Sequence, residues 1–169
     1  MEVGTLNTMF KAYAPAEMAK RIAAYGIRKV QLDMAFNGRG YDVDELTPEL
    51  CGEVRQAFAD EGIEILAVSG HQKIAFPEKE AREAAKESFL KKLVLPARFG
   101  CRVIVSETGS ANPDNAWIDH PNNYLPEVWD AVADTLRQIC ARAAEEGVTF
   151  ALEPHFGQVT KSPETLRRM

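Results

Sequence analysis

Apolar positions along this chain follow two periods in turn. Four times, a stretch with apolar residues three and four apart ends in glycine, and a short aliphatic block follows at once. The first pattern predicts an amphipathic helix and the second a buried strand. The junctions read AYGIRKVQLD, DEGIEILAVSG, RFGCRVIVSETG and EEGVTFALEPH, with Gly26, Gly62, Gly100 and Gly147 closing the helices. A residue just past a helix often turns left-handed, which glycine does without a side-chain clash. With one further strand ahead of the first helix, strands are predicted at about residues 2–7, 28–34, 63–69, 102–107 and 148–153.

Proline marks where each helix begins. Ala14-Pro15-Ala16-Glu17 opens the first, with Met18, Ile22 and Tyr25 as its apolar face. Thr47-Pro48-Glu49 opens the second, with Leu50, Val54 and Phe58 inward, and Phe76-Pro77-Glu78 opens a long third that Pro96 should kink or break. Tyr124-Leu125-Pro126-Glu127 opens the fourth, striped by Val128, Val132, Leu136 and Ile139, and Ser162-Pro163-Glu164 starts a fifth. Strand–helix alternation at this spacing predicts right-handed βαβ units and a parallel sheet in sequential strand order.

Two α/β architectures fit five such units, a complete open sheet and part of a barrel. The open-sheet site patterns are absent. Leu6-Asn7-Thr8-Met9-Phe10 stands where a flavodoxin needs a phosphate-cradling loop, and Gly38-Arg39-Gly40 continues as Tyr41-Asp42-Val43, which breaks the dinucleotide fingerprint. Strand alternation favours the barrel. If Glu153 points to a barrel axis, so do Ala151 and Thr149, and equivalent sets end in Glu107, His71, Asp33 and Asn7. Phe150, Leu152, Leu66, Val68, Val30 and Leu32 then face the helices. Polar groups ending every strand are the layout of a barrel's catalytic face. A closed (β/α)8 TIM barrel takes about 250 residues, so the 169 residues are read as one domain, 1–169. It holds the first five strands and four helices and stops before the sixth strand.

Composition narrows the setting. A net charge of −5 argues against a nucleic-acid partner, which calls for a basic stripe. No apolar run reaches the ~18 residues of a membrane span and no leader-like segment opens the chain, so a cytoplasmic location is expected. Cys51, Cys101 and Cys140 are widely spaced, as expected of reduced, buried thiols. The open edges of a partial barrel favour self-association, so a homo-oligomer is expected.

Several segments carry a family resemblance: VSETGS, Trp117 with His120-Pro121 and Asn123, EEGVTFALEPHFG and KSPETLRRM, supported by AVSGHQ. Together they resemble the sugar phosphate isomerase/epimerase group of xylose-isomerase-like barrels. The resemblance implies a metal-dependent enzyme acting on a small sugar or polyol by proton abstraction next to a carbonyl. It implies that Glu153 ligates a divalent metal (Mn²⁺, Mg²⁺ or Co²⁺ before Zn²⁺) and moves a proton. The residues agree in part, because a carboxylate on an apolar strand is costly unless a cation or donor compensates it. Solvent, Lys161 or Arg28 could equally take up that charge.

His71 and His155 are implied as substrate contacts, against capping roles for loop histidines. Glu107 either hydrogen-bonds sugar hydroxyls or anchors the loop of residues 108–125. In that loop Trp117 is placed to stack on a sugar face, while self-packing is the competing role for it, His120 and Asn123. Asp33, Gln31 and Asn7 are weaker candidates. Two rivals stand beside this reading. A zinc phosphodiesterase on the same barrel would need a histidine near the end of the fourth strand, which is absent. An inactive half-barrel would work only by association.

Overall fold

The computed structural model describes residues 3–169. The elements run β1 (Thr5–Leu6), α1 (Pro15–Ala24), β2 (Lys29–Leu32), β3 (Ala35–Phe36), β4 (Arg39–Gly40), α2 (Pro48–Asp60), β5 (Glu64–Ser69), α3 (Lys79–Lys91), α4 (Leu95–Phe99), β6 (Val103–Ser106), α5 (Pro126–Glu145), β7 (Thr149–Leu152) and α6 (Pro163–Arg168). Five parallel strands form one sheet in the order β1-β2-β5-β6-β7, the sequential order of a partial TIM barrel. The predicted strands all form, each shorter than its apolar block. Glu2, at the head of the first predicted strand, lies outside the described residues. Among those residues no helix is long and apolar enough to cross a membrane.

The junction glycines adopt the expected left-handed backbone, with φ of 75° at Gly26, 66° at Gly62, 77° at Gly100 and 67° at Gly147. Pro96 does interrupt the third helix: a 3-10 turn over Lys92–Val94 separates α3 from α4, with the proline in the first turn of α4. The predicted start of α2 is capped by Thr47, whose hydroxyl accepts from the Leu50 N–H. At α6, Ser162 and Thr165 cap each other reciprocally.

The chain folds as two compact units, one of residues up to Ser69 with Val94–Ile104, the other of Gly70–Leu93 with Val105–Met169. In the first, Met18 and Ile22 of α1, Val54 and Phe58 of α2 and Phe99 of α4 are buried with Val30 and Leu32 of β2. In the second, the stripe Val128, Val132, Leu136 and Ile139 of α5 is buried as predicted. Phe89 of α3 meets Phe150 of β7 edge to face at 5.4 Å, which puts Phe150 on the helix side.

Five burial expectations are corrected. Tyr25 is 75% exposed, because α1 ends at Ala24 and the tyrosine falls on its cap. Leu50 is half-buried, and Cys51 takes its place in the core. Cys140 lies exposed on α5 and Cys101 is half-buried, so only Cys51 is the buried thiol expected. Leu66 is 41% exposed and does not face the helices. Val30 pairs with Ile65, yet Gln31 pairs with Ala67, so one residue of β5 is bulged out and strict alternation fails at Leu66. The structure also adds the hairpin β3–β4, turned at Asn37 (φ 56°) and Gly38 (φ 77°). Its signal was legible, since Asn-Gly is the strongest short-range hairpin dipeptide.

Candidate active site

The second unit gathers the sequence candidates around the exits of β6 and β7. Gly70 N–H donates to Val105 O at 2.6 Å, the N–H of Gln72 to Ser106 Oγ at 3.1 Å and the N–H of Glu153 to Ser106 O at 2.9 Å. These bonds set His71, Glu107 and Glu153 on adjoining backbone segments. His71 Nδ1 lies 3.0 Å from Glu107 Oε2. Glu107 is buried while His71 keeps about a third of its side chain, 36%, accessible. An ionised carboxylate can only accept, so the imidazole donates from Nδ1 and its tautomer and ring plane are fixed.

Trp117 brings the two histidines into one cluster. Its ring stands edge-on to His71 at 6.4 Å and to His155 at 5.0 Å, and it remains 45% exposed. His155 is also stacked on Phe156 at 4.3 Å. The N–H of Gly157 donates to His155 Nδ1 at 3.4 Å, so the neutral ring carries its proton on Nε2. Glu153 is exposed, and its carboxylate has no hydrogen bond or ion pair among the described residues. Neither proposed cation neutralises it: Lys161 donates to Tyr124 Oη at 2.8 Å, and Arg28 to the carbonyls of Ala23 and Ile27.

Within the loop of residues 108–125, the competing structural role holds for two of three candidates. Asn123 is buried; its Oδ1 accepts from Ser110 Oγ and Ala111 N–H, and its Nδ2 donates to Asp119 Oδ1 and Gly157 O. The His120 ring accepts from Asn122 N–H and caps a 3-10 turn over Pro121–Tyr124. Trp117 alone turns toward the histidines. In the first unit Asn7 is spent on backbone: it accepts from Asp33 N–H and donates to Asp33 O and Ala35 O. Asp33 bonds the Met34 N–H at 2.9 Å and Gln31 donates to Ser69 Oγ at 3.0 Å.

Sequence reasoning passed over two residues here. Phe156 supplies the ring under His155. Gly157 has no room for a side chain, because a Cβ there would lie 2.0 Å from the Trp117 carbonyl oxygen. The signal was a glycine directly after His155-Phe156, where close backbone approach is one of the few reasons to need it.

A metal was also expected. Glu153 offers an unpaired oxygen donor, the chemistry a hard cation takes, but among the described residues no three His, Cys, Asp or Glu side chains cluster to hold an ion. The residues present therefore fit one part of a ligand set.

Five parallel strands in sequence order, with polar residues crowded at the exits of neighbouring strands, define part of a (β/α) barrel. A family model described as xylose isomerase-like TIM barrel matches residues 19–169, and the chain belongs to that family. Among solved structures it resembles a xylose isomerase-like TIM barrel protein from Mycobacterium smegmatis in complex with magnesium. That match has a TM-score of 0.69 at 16% identity and covers 99% of this chain and 59% of that one. It also resembles 3-keto-D-glucoside 4-epimerase from E. coli, with a TM-score of 0.65 at 21% identity, covering 91% and 56%. A third similar structure is a probable 3-DHS dehydratase of Bacillus anthracis involved in petrobactin synthesis, with a TM-score of 0.71 at 14% identity, covering 99% and 57%. The chain thus spans a little over half the length of these structures. No curated protein sequence matches it.

Proposed function

We propose that this chain supplies the first five strands of a metal-dependent isomerase or epimerase of sugars or sugar phosphates, which acts within a complete barrel. The observation that carries the reading is the cluster of Glu107, His71, Trp117 and His155 beside Glu153, whose carboxylate is unpaired. The family and its epimerase-like structures support the same class.

Each residue has a task that its surroundings fit. Glu153 takes the proton from the carbon next to the substrate carbonyl, and being exposed and unpaired it is free to approach it. A second carboxylate, from a later strand, returns the proton to the other face or the neighbouring carbon. His155 donates from Nε2 to a sugar hydroxyl. Trp117 offers its ring to the C–H face of the sugar, and Glu107 holds His71 in one orientation toward the substrate. A divalent ion such as Mn²⁺, Mg²⁺ or Co²⁺, when bound, supplies Lewis-acid polarisation of carbonyl and hydroxyl oxygens, and Glu153 would be this chain's ligand to it.

Glu153→Gln, made in a protein carrying the complete barrel, tests the reading. The amide keeps the shape and removes both basicity and charge. Turnover of a ketose should fall at least ~100-fold, the low end of what general acid–base catalysis supplies, while the unfolding midpoint stays put. Near-normal turnover would show Glu153 to be structural.

A further inference from the structure

Away from the His71–His155 cluster, and sharing no lining residue with it, the second unit contains a cleft of about 400 Å³. That is within the range of small-molecule sites. One wall is the segment leading into α3, the other the loop of residues 108–125. Both are anchored at the same point, since the N–H groups of Ile74 and Ala75 each donate to Thr108 O at 3.0 Å. Phe76, Pro77 and Pro113 make the cleft largely apolar, and Lys73, His120 and Asn122 bring polar atoms to it.

Lys73 is positioned, unlike a lysine waving in solvent. Its stem lies on Gly109, where an added Cβ would sit 2.8 Å from Lys73 Cγ. Its ammonium donates to Asn112 O at 2.7 Å and rests 4.4 Å over the Phe76 ring. An ammonium has three N–H groups, and one is bonded in this way. Burial holds the Lys73 pKa below that of an ordinary lysine, against the opposing pull of Glu78 and Asp114. His120 completes the pair of donors. Its Nδ1 already accepts from Asn122 N–H, so the neutral ring carries a proton on Nε2, which has no partner among the described residues.

We propose that this cleft is a binding site for a small organic monocarboxylate with an apolar body, its carboxylate held by the Lys73 ammonium and the His120 Nε2–H. The body of the ligand packs against Phe76, Pro77 and Pro113. Charge selects the class. Glu78 also lines the cleft and Asp114 acts on the same ammonium, so every negative charge on a ligand meets repulsion, and a monocarboxylate meets less of it than a phosphate dianion. The inference is independent of the sugar-isomerase reading, since it uses none of those residues.

Benzoate titrated into the 169-residue chain, followed by amide and imidazole NMR shifts, is the test. Saturable shifts are expected at Lys73, Phe76 and His120, and inorganic phosphate at equal ionic strength should bind about tenfold more weakly. Lys73→Met should weaken benzoate at least about tenfold, the value of one charge-assisted hydrogen bond. Glu78→Gln, an exposed change with no structural bond to lose, should tighten it about threefold by removing a like charge. Shifts that do not saturate, tighter binding of phosphate than of benzoate, or weaker binding in Glu78→Gln would each overturn the proposal.

Discussion

Asn7 and Glu107 are both buried polar side chains at the exits of parallel strands, one in each compact unit. They are spent in opposite ways. Asn7 matches every oxygen and N–H it has to nearby main chain, bridging Asp33 and Ala35. Glu107 instead spends its carboxylate on His71, a ring that keeps contact with solvent. An amide placed among unsatisfied backbone groups becomes part of the backbone network. A carboxylate placed beside a titratable ring sets the orientation of something that can meet a ligand. Comparable positions at two strand exits are thus tied to main chain in one unit and to a solvent-accessible ring in the other.

The contrast is broken most strongly by Asn7→Ala. It would leave an N–H and two carbonyls buried without partners, at roughly 1–3 kcal/mol for each group. A loss of about 3 kcal/mol is expected in urea unfolding, and a loss under 1 kcal/mol would mean that water replaces the amide. Next comes Gly157→Ala. The added methyl would collide with the main chain at Trp117, so the loop or the turn after His155 must shift, at about 2 kcal/mol. Thermal unfolding reads the cost, and the His155 ring signals should move with it.

Glu107→Gln sharpens the comparison from the other side. An amide can still face His71 but no longer enforces one tautomer. Stability should change by less than about 1 kcal/mol, and activity in the complete barrel should fall about tenfold. A large stability loss with activity intact would place Glu107 with Asn7. The ¹⁵N shifts of His71 report the tautomer directly.

The smallest effect concerns the clamp on the Trp117 loop. Asp119 accepts from Tyr124 Oη, which with Asn123 and the His120 N–H holds its carboxyl below the ordinary aspartate range. The hydrogen bond to Tyr124 holds Lys161 above the ordinary lysine range. A lowered acid stabilises the fold above its unfolded-state pKa and loses that contribution as pH falls through the folded value. A raised base stabilises below its unfolded-state pKa and loses it as pH rises through the folded value. The clamp therefore acts across neutral pH and fades below about pH 4 and above about pH 10.5. Both groups are exposed, so the effect is slight. Asp119→Asn should flatten the acid side of the melting-temperature profile and weaken the alkaline side only slightly, because the Asp119 charge is the smallest of the causes that raise Lys161.

Much of this was legible before any coordinates. Gly26, Gly62, Gly100 and Gly147 marked the helix ends, because few other residues turn left-handed at low cost. Pro15, Pro48, Pro126 and Pro163 marked the helix starts, since an N-terminal turn has no use for their absent N–H. Glu107, His71 and Glu153 could be assigned to strand ends from period-two alternation alone. These are local constraints, and a local window of sequence contains them.

Tertiary structure decided the rest. Nothing near Leu66 announces the bulge that turns it out, because the register is set by the partner strand β2. Trp117, His120 and Asn123 share one loop and similar polarity with their neighbours, yet only the fold shows Asn123 consumed by Ser110, Ala111 and Gly157 while Trp117 reaches His71 and His155. Lys73 looked like any lysine until Gly109, Asn112 and Phe76 closed around it. Sequence determines which groups a chain can offer and the period on which it offers them. Whether a donor is spent on its own backbone or kept for a ligand depends on atoms tens of residues away, and only the folded chain brings those atoms within reach.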